Sequence, residues 1–264
     1  MSAPTPYSRL LAGMEAGAGE ARVEVPEDWL QGRTLFGGLQ AAIVLRAMRT
    51  LVPETPLRSL QTTFIGPVPG GPVQARARIL RSGKNTTHVE GRIVEGDATL
   101  ALVVAIFGAG RQSAVQVLPR RPEVASGNGV EMRYVPGQAP AFTQHFKARW
   151  AVGGLPYSGA TQQDNVIELG MRDDGMATEY HVVAMADFIP PVALSFLKER
   201  AAAASLNWML ELVAEDVRSL PLEGWRLDAH MPAANAGYTH QSLELWGPGG
   251  VLAALGRQTM VVFA

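Results

Sequence analysis

The sequence contains no cysteine among its 264 residues. Disulfides, thiolate metal sites and cysteine nucleophiles are therefore excluded. The phosphate-binding and dinucleotide-binding glycine motifs are also absent, as is the G-x-S-x-G turn of many serine hydrolases. The five histidines show no spacing typical of metal ligands. We therefore expect a protein without metal or cofactor, and the sequence does not favour a Ser-His-Asp triad.

Strong charge of one sign is lacking as well, since the formal net charge is −1. Basic and acidic residues are scattered along the chain, which argues against nucleic acid or an anionic membrane as the main partner. The longest apolar run, residues 99–110, is too short to span a bilayer. The first residues, MSAPTPYSRLLAG, lack the basic and apolar regions of a secretory signal, so we expect a cytoplasmic protein.

Two halves of the chain show the same order of predicted strands. In each half a strand alternating apolar and polar residues is followed by a strand that begins near Thr-His and by a strongly apolar strand. These strands are predicted at 73–80, 87–96 and 99–107, and again at 224–231, 239–247 and 251–263. The recurrence in register indicates an internal duplication.

The segments before these strands also correspond. Residues 34–52 are apolar on nearly every face, which predicts a helix surrounded by protein. We predict its counterpart at 186–204, with Pro190 and Pro191 in the first turn, where proline is tolerated. Residues 58–68 and 204–213 follow, and both carry Ser-Leu and then an amide residue.

The predicted fold class is therefore α+β, with two tandem repeats that each contain one buried helix wrapped by an antiparallel sheet. We place the N-terminal repeat at 1–112 and the C-terminal repeat at 140–264. The intervening residues 113–139, rich in Gly, Pro, Arg and Gln, are predicted to be a linker. A single sheet built from the same strands is the alternative.

Asp187 distinguishes the second half from the first. It is the only charge in MADFIPPVALSF, residues 185–196, and burying an unpaired carboxylate is costly. Aligning Phe36 with Phe188 places Asp187 opposite Leu35, so the first half has an apolar residue there. The simplest structural interpretation is that Asp187 caps the start of the predicted helix. The alternative interpretation is a catalytic carboxylate.

The last strand differs between the halves in the same way. Its alignment places Gln258 opposite Ile106, and Gln258 is the one polar side chain on its face of the strand. Gly256, two residues earlier, is expected to leave space beside it. Ser205 falls opposite Ser59, so this serine is shared by the two halves. The second half is therefore where we expect a site.

On these residues the sequence resembles the acyl-CoA thioesterase II family of double-hotdog hydrolases, over roughly residues 25–110 and 140–264. The segments that carry the resemblance are LFGGLQAAIVLRAM, ADFIPPVAL, ASLN and GRQT. The resemblance implies a double hotdog fold, and it places the family's catalytic Asp–Ser/Thr–Gln set on Asp187, Ser205 and Gln258. The chain departs from the family pattern after Ser205, where Asn207 and Trp208 replace an acidic residue and a histidine.

The activity implied is hydrolysis of a fatty acyl-CoA, or a related acyl thioester, to the free acid and CoA. This reaction needs a base for water and donors for the developing oxyanion. Asp187 suits the first role, and Ser205 and Gln258 can hold the water. The free N–H groups of Gly37 and Gly38, at the start of the first helix, are candidate substrate-binding donors.

Two other functions remain open at this point. One is a non-hydrolytic acyl-CoA or lipid-binding protein on the same fold, which the departures after Ser205 would fit. The other is an enoyl-CoA hydratase or dehydratase, which is less favoured because its Asp-x₄-His pattern is missing: Val192 stands five residues after Asp187. The partner we expect is an acyl-CoA substrate, which places the protein in lipid metabolism. We also expect a homo-oligomer, because hotdog sheets have edges that can pair across subunits.

Overall fold

The computed structural model of the protein describes residues 4–124 and 129–264. Residues 1–3 of the predicted first repeat and residues 125–128 of the predicted linker lie outside the described residues. The chain forms two compact units. Unit 1 contains the chain up to Gln112 together with Tyr134–Phe146 and Arg172–Gly175, and unit 2 contains Ser113–Arg133, Lys147–Met171 and Met176–Ala264. The repeat and linker boundaries drawn from the sequence stay a prediction.

Unit 1 packs a long helix against an antiparallel sheet. Its helices are α1 (Tyr7–Ala12) and α2 (Gly37–Arg49). Its strands are β1 (Glu15–Gly17), β2 (Glu20–Val25), β3 (Leu30–Gln31), β4 (Thr34–Leu35), β5 (Leu57–Phe64), β6 (Gly71–Ser82), β7 (Thr86–Glu95) and β8 (Ala98–Gly108). The main strands run in the order β1-β2-β6-β7-β8-β5, and β3 pairs with β4 separately. Short 3-10 helices occupy Glu27–Trp29 and Ala141–His145.

Helix α2 is the buried helix predicted at 34–52. It begins after Phe36, whose carbonyl accepts the N–H groups of Leu39 and Gln40. Nearly all its side chains are buried, and it packs against β2, β6, β7 and β8. Gly91 in β7 permits this approach, since a Cβ there would lie 2.4 Å from Cγ1 of Val44. The structure confirms the prediction of a helix enclosed by protein.

Unit 2 repeats the arrangement with a shorter helix, α3 (Glu179–Ala186). Its strands are β9 (Val130–Glu131), β10 (Phe146–Val152), β11 (Asp164–Met171), β12 (Ala202–Leu212), β13 (Trp225–Asn235), β14 (Tyr238–Gly247) and β15 (Val251–Phe263). They run in the order β12-β15-β14-β13-β11-β10-β9, and α3 packs against β11, β14 and β15. Short 3-10 helices occupy Val192–Phe196 and Pro248–Gly250. The two units confirm the predicted α+β architecture of helix-against-sheet repeats.

The position predicted for the second helix, 186–204, is wrong. Helix α3 lies earlier in the chain and ends at Ala186, immediately before Asp187. Pro190 explains the end of the helix, because its ring would clash with the carbonyl group four residues before it, which belongs to Ala186. The prolines therefore terminate α3 rather than begin a helix, and only the short 3-10 helix Val192–Phe196 follows them.

The register of the duplication also differs from the alignment made on the sequence. Val89 and Ala105 are paired neighbours in β7 and β8, and Gln241 and Gln258 are paired neighbours in β14 and β15. Val89 and Gln241 correspond, because each directly follows the Thr-His pair of its strand. Gln258 therefore corresponds to Ala105 rather than Ile106. The shift arises because the turn from β14 to β15 is one residue longer than the turn from β7 to β8. A register shift of one residue moves every side chain of a strand to the opposite face of the sheet.

The Ser-Leu pairs of the two halves are not structurally equivalent either. Strand β5 has a bulge between Leu57 and Ser59, and β12 has a bulge between Ser205 and Asn207. Superposing the bulges matches Ser205 with Leu57 and not with Ser59. Within residues 4–124 and 129–264, no helix is long and apolar enough to cross a membrane.

Candidate active site

Gln258 is the centre of a hydrogen-bonded cluster in the interior of unit 2. It lies in the middle of β15 and is 2% exposed. Its Nε2 donates to Oδ1 of Asp187 at 3.1 Å and to Oγ of Ser205 at 2.9 Å. The structure thus brings together the three residues that the resemblance selected, from the end of α3, from β12 and from β15. Arg257 points to the exposed side of the same strand, as the alternation requires.

Asp187 lies at the C-terminal end of a helix and not at its start. It is the residue that follows α3, with φ −94° and ψ 1°, and it is 9% exposed. The interpretation of Asp187 as a helix N-cap is therefore wrong. A helix C-terminus carries partial negative charge, which disfavours a carboxylate. Helix capping thus does not explain this residue, and donors such as Gln258 compensate for its burial.

The equivalent of Asp187 in unit 1 is Thr50 and not Leu35. Thr50 occupies the same place after α2 that Asp187 occupies after α3. Its hydroxyl donates to the carbonyl of Ala47 at 2.7 Å. The position is therefore polar in both units, but only unit 2 has an ionisable group there.

Ser205 reaches the cluster from the bulged part of β12. A bulge re-aims the side chains beside it, and here it lies between Ser205 and Asn207. The side chain is half-buried, and its oxygen accepts an N–H of Gln258. Because a hydroxyl oxygen can accept and donate at once, the Ser205 O–H can still donate to another oxygen.

Gln241 extends the cluster, and the sequence analysis missed it. It lies on β14, directly opposite Gln258, and is fully buried. Its Nε2 lies 3.4 Å from Oε1 of Gln258, and its Oε1 accepts the backbone N–H of Val192 at 3.0 Å. The signal that could have found it is strand alternation, because Gln241 shares a face with Thr239 and Leu243.

A row of paired residues across the sheet shows how the two units differ. In unit 2 the row runs through Trp208, Gln258 and Gln241, on β12, β15 and β14. The corresponding residues of unit 1 are fully buried and apolar. They are Leu60, Ala105 and Val89. Two neighbouring apolar positions have therefore been replaced by amides in unit 2, beside Asp187.

Gly256 does not leave open space beside Gln258, contrary to the expectation from the sequence. A Cβ at this position would lie 2.9 Å from Cγ of Leu243 and 3.1 and 3.2 Å from its two methyl carbons. The neighbouring strand thus fills the space with a leucine. Gly256 serves close packing of β14 against β15.

Gly37 and Gly38 lie in the first turn of α2, in unit 1, and both are buried. The N–H groups of a first helical turn have no acceptor within the helix. Whether these two groups contact a substrate stays a prediction. The hydrogen-bonded cluster itself is formed by residues of unit 2.

Four of the five histidines have partners away from Ser205. His181 contacts Thr178 at the start of α3, His230 contacts Asp164, and His240 contacts Thr259. His145 lies in unit 1, stacked on Trp29, and burial lowers its pKa although Asp28 acts in the opposite direction. These contacts do not favour a Ser-His-Asp triad.

In the described part of the chain, no group of three or more His, Asp or Glu side chains could hold a metal ion.

Comparison with protein families gives two matches that follow the duplication. Residues 25–108 match the family described as acyl-CoA thioesterase N-terminal domain. Residues 119–262 match the family described as acyl-CoA thioesterase C-terminal domain. A search of curated proteins finds no match to the sequence.

Solved structures with the same fold include three bacterial proteins. A conserved protein with a hot dog fold from Alicyclobacillus acidocaldarius has a TM-score of 0.87 and 18% identity, with 99% of each chain covered. The TesB protein of Mycobacterium avium subspecies paratuberculosis has a TM-score of 0.76 and 18% identity, covering 98% of this chain and 100% of that one. The acyl-CoA thioesterase II TesB2 of Mycobacterium marinum has a TM-score of 0.72 and 17% identity, covering 96% and 95%. These similarities confirm the predicted double hotdog fold.

Proposed function

The chain belongs to the acyl-CoA thioesterase family, and we propose that it hydrolyses a fatty acyl-CoA, or a related acyl thioester, at Asp187, Ser205 and Gln258. Family membership makes the protein a thioester hydrolase. The observation that supports the site is the pair of hydrogen bonds by which Gln258 links Asp187 to Ser205. The products are the free acid and CoA.

Asp187 is the proposed general base. Its carboxylate accepts a proton from a water molecule, and the water oxygen forms a bond to the thioester carbonyl carbon. The carbonyl oxygen then carries the negative charge of a tetrahedral intermediate. When the carbon–sulfur bond breaks, the sulfur leaves as the CoA thiolate and takes the proton from Asp187. The carboxylate is thereby restored, and one water has been consumed.

Ser205 is proposed to orient the water. Its oxygen accepts from Gln258, so the hydroxyl proton can donate to the water oxygen. A water held between a hydroxyl donor and a carboxylate acceptor has a defined orientation, which lowers the entropic part of the barrier. Ser205 is half-buried, so this part of the cluster is partly accessible to solvent.

Gln258 is proposed to hold the other two residues rather than the water. An amide nitrogen carries two hydrogens, and Nε2 of Gln258 has one partner for each: Asp187 and Ser205. A hydrogen bond to a charged group contributes about 1.5–3 kcal/mol. Gln258 thus stabilises an ionised Asp187 in a buried position and fixes its distance from the hydroxyl group.

Gly37 and Gly38, in the first turn of α2 in unit 1, are proposed to bind substrate through their backbone N–H groups, because the N–H groups of a first helical turn have no acceptor within the helix. We further propose that the protein acts in the cytoplasm as a homo-oligomer.

The experiment that tests the function is a thiol-release assay on the purified protein with acyl-CoAs of graded chain length. We expect turnover for at least one fatty acyl-CoA, with one thiol released per acid formed. Stoichiometric binding of an acyl-CoA without thiol release would instead identify a binding protein and overturn the proposal. Loading the same acyl groups on a carrier protein distinguishes the two classes of thioester.

A further inference from the structure

We propose that Gln241 is a positioning residue that sets the orientation of the Gln258 side-chain amide, an inference that builds on the proposed function of the Asp187–Ser205–Gln258 site. Gln241 touches none of the proposed reacting atoms. It acts through Gln258, to which it is joined across the β14–β15 pair. Three hydrogen bonds join Val192, Gln241, Gln258 and Asp187 in series, and a fourth branches from Gln258 to Ser205.

The series begins at a group that can only donate. Val192 is the first residue of its 3-10 helix, and it follows two prolines that have no N–H group. Its backbone N–H donates to Oε1 of Gln241 at 3.0 Å. A backbone N–H cannot accept, so this bond requires the oxygen of the Gln241 amide to face Val192.

The orientation of Gln241 then determines that of Gln258. With its oxygen toward Val192, Gln241 directs its NH₂ group toward Oε1 of Gln258, 3.4 Å away. If Gln258 were flipped, two NH₂ groups would face each other and neither could accept. Gln258 therefore directs its own NH₂ group toward Asp187 and Ser205.

The series ends at a group that, when ionised, can only accept. The Asp187 carboxylate oxygen receives an N–H of Gln258 at 3.1 Å. The Val192 N–H can only donate, and the ionised Asp187 carboxylate can only accept. The two amides between them therefore have one orientation that satisfies every hydrogen bond of the series. The Val192 N–H thus fixes the orientation of Gln241 and, through Gln258, restrains the proposed base, Asp187. An apolar residue at position 241 could not transmit this restraint.

Unit 1 offers an internal comparison. The residues equivalent to Gln241 and Gln258 are Val89 and Ala105, which are fully buried and apolar. The fold therefore packs this pair of positions without any amide. The two glutamines occur together in the unit that has Asp187, which links them to the site rather than to the requirements of the sheet.

A purely structural role for Gln241 makes a different prediction. In that case its only contribution would be to satisfy the Val192 N–H, since an unsatisfied buried donor lowers the stability of the folded protein. Loss of the side chain would then lower stability and leave the kcat of folded molecules unchanged. A positioning role predicts that kcat falls while KM stays near its wild-type value, because substrate contacts are retained.

The test compares Gln241→Met with wild type, by thiol release from acyl-CoA and by the structure of the variant. Methionine keeps the volume and removes both hydrogen bonds. We expect kcat to fall about 10- to 100-fold with KM within about twofold, since small misplacements of reacting groups have effects of this size. We also expect the Gln258 amide to have rotated away from Asp187 in a crystal structure of the variant.

Gln241→Glu affects the two hydrogen bonds of Gln241, to Val192 and to Gln258, in different ways. It also provides a second test if Gln241→Met folds poorly. A carboxyl group still accepts from Val192, but only its neutral form can donate to Gln258. We therefore expect the kcat of Gln241→Glu, relative to the wild-type kcat at the same pH, to fall as the pH rises and the introduced carboxyl group ionises. Asp187 is the charged group next in the series, and it favours the neutral form of the introduced carboxyl group.

Thr239→Val is the matched control. Thr239 lies on the same face of β14, two residues from Gln241, and its Oγ1 is buried without a hydrogen-bond partner. This isosteric change should leave kcat unchanged. If Gln241→Met keeps the wild-type kcat, or if Gln258 keeps its contacts in the variant, the positioning role is wrong. The structural readout is independent of activity, so it tests Gln241 even if wild type hydrolyses none of the acyl-CoAs tested.

Discussion

Nε2 of Gln258 lies 3.1 Å from Oδ1 of Asp187, although 71 residues separate the two in the chain. The contact joins the end of α3 to the interior face of β15 and lies within unit 2. Both residues replace uncharged residues of unit 1, Thr50 and Ala105. The duplication therefore serves as an internal reference, because the same scaffold is present with and without the amide–carboxylate pair.

Gln258→Glu should abolish most of the activity at neutral pH. The change keeps the shape of the side chain but replaces an N–H donor facing Asp187 with a carboxylate oxygen, and like charges at this distance disfavour ionisation of both. We expect kcat to fall about 100-fold or more in the thiol-release assay. The control is Gln162→Glu, an exposed position of unit 2. Retention of full activity by the Gln258 variant would contradict the role of the amide as a donor.

Ser205→Ala and Ser205→Thr should separate the hydroxyl group from the rest of the side chain. Alanine removes the oxygen that accepts from Gln258 and donates to water, so we expect kcat to fall about 10- to 100-fold. Threonine keeps the hydroxyl and should retain most of the activity. Ser242→Ala, at an exposed position on β14, is the control. Equal activities for the alanine and threonine variants would argue against a role of the hydroxyl.

Part of this site could be predicted from the sequence, because alternation along a strand survives in the residue pattern. Gln258 stands out as the polar residue on an apolar face of its strand, and the structure buries that face. Asp187 stands out as a charge in an apolar segment. The Thr-His pairs also correspond, since His88 pairs with Ile106 as His240 pairs with Thr259.

The errors of the sequence analysis have definite physical causes. Two prolines are compatible with the start of a helix or with its end, and only packing shows that α3 ends before Pro190. A turn longer by one residue shifts the register of β15 without changing its composition. Strand alternation gave a signal for Gln241, but Thr239 on the same face of β14 makes that face less clearly apolar, and the partner of Gln241, Val192 N–H, is a backbone group that the residue types do not show.

Gly91→Ala should destabilise unit 1. A Cβ at Gly91 would lie 2.4 Å from Cγ1 of Val44 and 3.0 Å from Cε of Met48, so α2 would have to move away from the sheet. Overpacking of this kind costs about 1–3 kcal/mol. The control is Gly17→Ala, where an added Cβ meets nothing within 4 Å. The free energies of unfolding in urea provide the measurement, and equal values for the two variants would contradict the packing described for α2.

The stability of unit 1 should decrease as the pH falls below about 6.5, the ordinary pKa of histidine. Burial lowers the pKa of His145 in the folded protein, so the unfolded chain binds a proton there more readily. The stabilisation is therefore complete above the unfolded pKa and is lost as the pH falls toward the folded pKa.

His145→Phe tests this dependence, because phenylalanine removes the titrating group and can still stack on Trp29. Urea unfolding at about pH 7.5 and about pH 5.5 should show a smaller loss of stability on acidification for the variant than for wild type. Gln162→Asn, a change without a titrating group at an exposed position, serves as the control and should keep the wild-type dependence. An unchanged pH dependence in His145→Phe would show that His145 is not the group responsible.

The proposed role of Asp187 as the base is best tested by the kcat of Asp187→Asn in the thiol-release assay, measured on protein whose unfolding midpoint matches that of wild type. Asparagine keeps the shape and an oxygen that can accept from Gln258, but it cannot take a proton from water. We expect kcat to fall about 100-fold or more, with KM nearly unchanged. A variant that hydrolyses acyl-CoA at the wild-type rate would contradict the proposal that Asp187 is the base.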